Sequence, residues 1–169
     1  MADKIGNILA KDYGLDRPVE QKSFYVKGAE HCDWGMKDRL SRIFDPKSGR
    51  TVMLAFDHGY IMGPTAGLER LDLAIPPLAP YADVLMGTRG AIKTFNKAIA
   101  LRSTTDTSVL HEDLSFGRIG VDVEDAIRLN ASCIVVQTFV GSKNEVGSFK
   151  NLSDMINAGN RYGIPVMGV

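Results

Sequence analysis

Asp57 and His58 stand directly after a short apolar run, residues 51–56, and are the first residues of this sequence whose position suggests chemistry. An aspartate at the end of a buried strand is placed to orient a substrate hydroxyl group or to relay a proton, and a histidine there is placed to act as an acid or base. The other interpretation is that Asp57 caps backbone amides of the following turn. We favour a catalytic role for both residues.

Three further polar residues follow other apolar runs and are candidates for substrate binding. Arg89 suits bidentate binding of a phosphate or carboxylate group, and the alternative is a structural ion pair with Asp83 or Asp57. Arg102, which is followed by three hydroxyl residues, is a weaker candidate of the same kind. Gln137 and Thr138 end a further run, and one of the two faces the barrel interior if the strand alternates; the alternative is that such groups only satisfy neighbouring polar atoms.

Metal binding is not predicted. The adjacent residues His31, Cys32 and Asp33 resemble a ligand cluster, but three consecutive side chains do not converge on one ion without help. Asp33 is better explained as the N-cap of a helix. No metal site is therefore expected at these residues.

A lysine that forms an imine with a carbonyl substrate needs a dry, apolar site that lowers its pKa. None of the candidate lysines is embedded in a β-rich run; they are Lys27, Lys93, Lys97, Lys143 and Lys150. The sequence therefore offers no good imine-forming lysine.

The apolar runs that must position these residues alternate with helical patterns. Residues 1–50 read as a leader with a helix at about 34–44, and residues 51–169 as a partial barrel. Its predicted strands lie at 51–56, 82–86, 98–101, 132–140 and 165–169. Its predicted helices lie in the first part of 68–78, at 123–129 and at 152–162, and Asp122 is the predicted N-cap of the second helix. Alternation of this kind indicates an α/β fold with parallel strands.

Two architectures fit this order, an open doubly wound sheet and a TIM (β/α)8 barrel. The turn after the first strand lacks the glycine-rich phosphate-binding pattern of the open sheet, and polar residues stand at the end of each strand, as at the rim of a barrel. We therefore expect a barrel. A closed barrel needs eight strands and about 250 residues. The five predicted strand–helix units are therefore expected to be part of a larger whole or the product of a truncated gene, unless the fold is not a barrel.

Composition excludes several classes of partner. The 20 Lys and Arg residues balance 20 Asp and Glu residues, which gives no general attraction to nucleic acid or to an anionic membrane. The sequence has two cysteines, far apart, and neither a signal peptide nor an apolar run of about 20 residues is visible. A cytoplasmic protein is the simplest expectation.

The run TVMLAFDHG at residues 51–59 resembles the first strand of the archaeal-type class I fructose-bisphosphate aldolase family. The likeness is greatest to one branch, the 3-hydroxy-5-phosphonooxypentane-2,4-dione thiolases, which act late in autoinducer-2 degradation and hence in quorum sensing. It extends over segments 11–18, 33–36, 63–65, 67–70, 82–86, 88–90, 125–131 and 141–142. It thus covers nearly the whole chain.

The resemblance implies an eight-stranded barrel that uses no metal and no bound cofactor, with coenzyme A as a possible co-substrate. The substrate would be a small phosphorylated ketone or diketone, and the intact protein a homo-oligomer. In the family the Schiff-base lysine lies on the sixth strand and the phosphate sites follow the seventh and eighth. Asp57 matches the family's first-strand aspartate, with His58 beside it.

This sequence reaches only the fifth strand, so the resemblance implies that the chain alone is inactive. Three alternatives remain open at this point. They are fructose-bisphosphate aldolase activity in the same family, a non-catalytic remnant or fragment, and a metal-dependent barrel enzyme that uses His58.

Overall fold

Five short apolar runs form one parallel sheet in the computed structural model, which describes residues 24–169. The leader segment 11–18 that contributes to the family resemblance lies outside these residues. The strands are β1 (Met53–Ala55), β2 (Val84–Gly87), β3 (Ala98–Arg102), β6 (Cys133–Val136) and β7 (Val166–Gly168), and β4 (Thr104–Thr105) pairs with β5 (Arg118–Ile119) in a separate antiparallel hairpin. The helices are α1 (Trp34–Ile43), α2 (Gly59–Met62), α3 (Leu71–Ala74), α4 (Val123–Arg128) and α5 (Glu145–Tyr162), with 3-10 turns at Ala79–Tyr81 and Ala91–Thr94.

The order of strands across the sheet is β1-β2-β3-β6-β7, and every neighbouring pair is parallel. Each new strand is therefore added to the same edge in chain order. A doubly wound sheet reverses its order at a switch point, whereas a barrel does not. The topology accordingly favours part of a barrel.

The two faces of the sheet pack into different cores. Leu85, Leu101 and Ile134 point to the side that carries α4 and α5 and share one buried cluster with Met155 of α5. The alternate residues of the same strands form a second cluster on the opposite, inner face: Val84, Met86, Ala100, Cys133 and Val135. Because both faces are apolar, the strands are continuous hydrophobic runs, as expected for a parallel sheet.

Helix α1 begins as predicted, because the Asp33 side chain accepts a hydrogen bond from the Met36 amide. Arg39 donates to the carbonyl oxygen of Gly163 (2.9 Å) and Arg42 to the side chain of Asn130 (2.9 Å), and these acceptors lie a few residues before β7 and β6. Helix α1 therefore sits at the amino ends of the strands and leaves their carboxyl ends open. The division of the chain at residue 50 remains a prediction.

Three details differ from the sequence prediction. The strand expected at 132–140 ends at Val136, because the last pair that it forms with β7 is Val136 with Gly168, and the chain turns later at Gly141, which has a positive φ of 78°. Helix α5 begins at Glu145 instead of 152, with an acidic residue in its first turn, where the helix dipole favours it. The β4–β5 hairpin was not predicted, because strands of two residues carry no alternation. Within residues 24–169 no helix is both long and apolar enough to cross a bilayer.

Candidate active site at the carboxyl ends of the strands

Asp57 and Arg102 form a buried ion pair at the carboxyl end of the sheet. Arg102 is the last residue of β3 and Asp57 follows β1 by two residues. Arg102 Nη1 lies 2.6 Å from Asp57 Oδ2, and the two side chains are only 5% and 7% exposed. The inner-face residue Ala100 and Arg102 are two positions apart on β3, so the arginine continues the inner face upward to the rim.

A third charged residue, Asp106, completes the cluster and was missed by the sequence analysis. Its carboxylate pairs with Nη2 of Arg102, and its side chain is 1% exposed. Asp106 follows β4, and the pairing of Thr104 with Ile119 folds the hairpin beside β3. The only sequence signal was the spacing of four residues from Arg102, which is uninformative without the hairpin.

Burial controls the electrostatics of Asp106. Desolvation raises the pKa of the Asp106 carboxyl above its usual value, Arg102 opposes this, and the nearby negative charge of Asp57 adds to the rise. Asp106 Oδ1 and Arg102 Nε have no hydrogen-bond partner among the described residues. The carboxylate of Asp106 is therefore held by a single charged neighbour.

Arg89 lies apart from this cluster. Its guanidinium pairs with Asp125 in the first turn of α4, and its side chain remains 53% exposed. The alternative partners named from the sequence, Asp83 and Asp57, are wrong: the Asp83 carboxylate accepts from the Val52 amide (2.7 Å) and Asp57 pairs with Arg102. Hydrogen bonds from Arg128 and then Arg89 lower the pKa of Asp125.

His58 and Gln137 occupy the same rim with different environments. His58 is exposed at the start of α2, where it makes no side-chain capping bond. Gln137 is half-buried. Its backbone amide donates a hydrogen bond to Thr104 Oγ1 (3.2 Å), and its side-chain nitrogen Nε2 donates to the Thr138 carbonyl oxygen (3.3 Å). The roles predicted for these residues, and for Asp57, Arg89 and Arg102, remain predictions.

A cavity of about 280 Å³ opens between the ends of β2 and β3. Its polar lining includes Tyr60, Thr88, Arg89, Arg102, Thr104 and Thr105. Hydroxyl groups and two guanidinium groups of this kind suit an oxygen-rich ligand. The cavity thus joins Arg89 and Arg102, which the sequence analysis had singled out separately.

The five lysines considered above are all exposed, so none has the dry environment that an imine-forming lysine needs. In the part of the chain that the structure describes, no three His, Cys, Asp or Glu side chains converge as a metal site would require. Asp33 caps α1, as the helix interpretation of residues 31–33 predicts.

Comparison with known proteins shows sequence relatives over nearly the whole chain, although no protein-family model matches. An uncharacterized aldolase of Pasteurella multocida (strain Pm70) is 51% identical over 164 residues, which are 94% of this chain and 56% of the relative. The 3-hydroxy-5-phosphonooxypentane-2,4-dione thiolases of Klebsiella pneumoniae (49%) and Yersinia pseudotuberculosis (48%) match the same share of this chain. The chain spans 55–56% of the length of these relatives.

Solved structures show the fold. An archaeal fructose-1,6-bisphosphate aldolase with its catalytic Lys bound to a carbinolamine intermediate has a TM-score of 0.67 at 22% identity, covering 79% of this chain and 56% of the aldolase. A Schiff-base-forming fructose-1,6-bisphosphate aldolase has a TM-score of 0.66 with the same identity and coverage. These neighbours are TIM-barrel aldolases, and the expected partial (β/α)8 barrel is confirmed.

Proposed function

This chain is a homologue of the 3-hydroxy-5-phosphonooxypentane-2,4-dione thiolases over 94% of its length, and from that premise we propose that it supplies the Asp57-bearing part of a class I aldolase or thiolase barrel. The completed protein acts on a small phosphorylated ketone or diketone. The observation that carries this proposal is the buried Asp57–Arg102 ion pair at the carboxyl ends of β1 and β3, which flank β2, because barrel enzymes bind substrate at this end of their strands.

Asp57 assists proton transfer in this proposal. A lysine on a later strand, as the family resemblance implies, forms an imine with the substrate carbonyl and so acidifies the neighbouring carbon. Arg102 Nη1 holds Asp57 Oδ2 at 2.6 Å, which fixes the position of the carboxylate that accepts the proton. His58, exposed beside it, assists the exchange of that proton with solvent, and in a thiolase the released acetyl group passes to coenzyme A.

The substrate is expected to contact Arg89 and Gln137 as well as the cluster. Both terminal nitrogens of Arg102 already pair with carboxylates. Arg102 lines the cavity, but its main role in this proposal is to hold Asp57. Arg89 is the more exposed guanidinium on the same cavity and is the better candidate for an anionic substrate group. Gln137 offers its amide oxygen as an acceptor, because its nitrogen already donates to Thr138.

The experiment is to complete the barrel. The chain is fused to, or co-expressed with, the part of the Pasteurella multocida aldolase that it does not match, and borohydride is added with a phosphorylated ketone. We expect a stable covalent adduct on the completed protein and none on the 169-residue chain alone. A folded, completed protein that forms no adduct would contradict the proposal, and an adduct on the chain alone would show that it contains the imine lysine after all.

Two substrates separate the enzyme hypotheses. Cleavage of the phosphorylated pentanedione with transfer to coenzyme A supports the thiolase, whereas cleavage of fructose 1,6-bisphosphate supports the alternative that the aldolase structures suggest. Asp57→Asn in the completed protein should abolish turnover on either substrate. Turnover on neither, with a folded barrel, supports the third alternative, a non-catalytic remnant.

We further propose that the completed protein is a cytoplasmic homo-oligomer. Several large apolar side chains are highly exposed on this chain and are suited to burial by further strand–helix units or by other subunits: Trp34, Tyr81, Leu110 and Val146. Light scattering of the completed protein tests the assembly directly.

A further inference from the structure

Arg102 is held between two carboxylates that approach it from different elements. Asp57 reaches Nη1 from the end of β1, and Asp106 reaches Nη2 from the β4–β5 hairpin. All three side chains are more than nine-tenths buried. The guanidinium plane is therefore fixed by two separate ion pairs, one on each terminal nitrogen.

The second carboxylate is not needed to neutralise the arginine. One positive and two negative groups leave the buried cluster with an excess negative charge when all are ionised, and burial of an excess charge is unfavourable. The raised pKa of Asp106 reflects this unfavourable environment. Because burial of the Asp106 charge is unfavourable, the role of Asp106 is better explained by the orientation that it imposes on Arg102 than by a gain in stability.

That geometry bears directly on Asp57. A guanidinium that pairs through one terminal nitrogen can rotate about its side-chain bonds, whereas one that pairs through both has a single orientation. With Nη2 fixed by Asp106, Nη1 points at Asp57 Oδ2 at 2.6 Å. The position of the Asp57 carboxylate thus depends on a residue in the hairpin.

We propose that Asp106 is a positioning residue that acts through Arg102 to hold the Asp57 carboxylate at the rim. The effect on catalysis rests on the proposed function, since it requires Asp57 to take part in proton transfer. The effect on the arginine does not depend on it.

The hairpin is shaped to admit Asp106. A Cβ atom at Gly117 would lie 2.5 Å from Asp106 Oδ1 and 3.3 Å from the ring of Phe139. Any larger residue at 117 must therefore displace the Asp106 carboxylate or the ring. This offers a second way to disturb Asp106 without changing a charged group.

The first test uses the 169-residue chain itself. Hydrogen exchange of the Arg102 guanidinium protons is followed by ¹⁵N NMR, with Arg102→Lys to assign the signal. Asp106→Asn, which preserves shape, should accelerate this exchange at least about tenfold, since one of two charge-assisted anchors is lost. Gly117→Ala should act in the same direction. The matched control is Asp38→Asn, which removes the partner of Arg42 at the same i,i+4 spacing on the surface and should leave Arg102 unchanged.

Unchanged Arg102 exchange in folded Asp106→Asn overturns the proposal. If Asp106→Asn does not fold, Gly117→Ala decides, because its side chain is small and uncharged. Wild-type exchange of Arg102 in that variant overturns the proposal equally.

The second test uses the completed barrel and separates positioning from general loss of structure. Turnover is divided by the amount of imine trapped with borohydride, so that only assembled sites are counted. Asp106→Asn should lower this normalised kcat roughly tenfold with KM changed by less than about twofold, because Asp106 does not touch substrate. Wild-type normalised kcat in the variant overturns the proposal while leaving the proposed function intact. An inactive wild-type barrel contradicts the proposed function instead, and the exchange measurement then decides the role of Asp106.

Discussion

Replacement of Arg102 by methionine is predicted to be severely destabilising. Methionine fills most of the volume but leaves Asp57 and Asp106 without their cation, and their side chains are 7% and 1% exposed. Removing one partner from a buried ion pair typically costs about 3–5 kcal/mol, because the remaining charge is buried and unpaired. Since domains of this size are stable by roughly 5–15 kcal/mol, the loss takes a large share of the total.

Urea denaturation followed by circular dichroism measures this loss. With a slope of about 2 kcal/mol per molar urea, the midpoint should fall by roughly 1.5–2.5 M. The control is Lys150→Met, since Lys150 pairs with Asp154 at the same i,i+4 spacing but with side chains 71% and 59% exposed. An exposed pair of this kind contributes at most about 1 kcal/mol, so its midpoint should shift by less than about 0.5 M.

The sign of the pH dependence gives a second check. The folded-state pKa of Asp106 is already raised by burial, with Arg102 opposing the rise, so removing Arg102 raises it further. The folded state then binds a proton that the unfolded chain has released, and the free energy of unfolding falls as pH rises through this window. The deficit of Arg102→Met should therefore shrink as the pH is lowered from 7 toward the ordinary aspartate pKa.

A triple variant decides whether charge or packing is responsible. Arg102→Met combined with Asp57→Asn and Asp106→Asn removes all three charges and should recover most of the lost stability, because no unpaired charge then remains buried. A loss below about 1 kcal/mol for Arg102→Met alone would refute the reasoning. So would a triple variant no more stable than the single one, since the defect would then lie in packing.

The remaining predictions concern packing and thiol chemistry. Gly163→Ala should lower the free energy of unfolding by about 1–2 kcal/mol, because Gly163 has a φ of 62°, and denaturation curves report it. Gly159→Ala should also lower the free energy of unfolding, by about 1–3 kcal/mol, although alanine has the better helix propensity, because its Cβ would lie 2.6 Å from the Ile164 carbonyl oxygen. Thermal melting tests this prediction, and a stabilised variant would contradict it. Burial raises the pKa of Cys133 to about 12, so at about pH 8 a thiol reagent should modify the half-buried Cys32 and reach Cys133 only after unfolding, as mass spectrometry of the labelled peptides would show.

The sheet could be predicted from the sequence because its signals are strong and local. Strands β2, β3 and β6 are apolar on both faces, and a glycine or polar residue ends each strand or follows it directly, so their positions were found to within a few residues. The start of α5 was missed because the residue that its first turns bury is polar, Ser148, whereas the apolar Val146 and Phe149 are exposed. Hydrophobic periodicity therefore does not mark the first turns of α5.

The site could be predicted only in part, because its assembly depends on register. Asp57 and Arg102 were found as separate residues at strand ends, but their pairing follows from β1 and β3 both flanking β2. The position of Asp106 could not be predicted, because it depends on the β4–β5 hairpin and no sequence pattern indicates that hairpin. The partner of Arg89 was missed for the same reason, since Asp125 belongs to a helix that only the fold brings near it.

The two edge strands of the sheet determine which side of Asp57 the charged cluster occupies. Strands β1 and β7 are the two edges of the described sheet, and an open edge invites pairing with further strands. Asp57 follows the edge strand β1, whereas Arg102 and Asp106 lie on its interior side. The charged cluster therefore fixes one side of Asp57, and whatever strand closes the barrel against β1 borders the other. Under the proposed function, this chain therefore supplies Asp57 together with the neighbours that orient it, and the imine-forming lysine would come from a strand that completes the barrel.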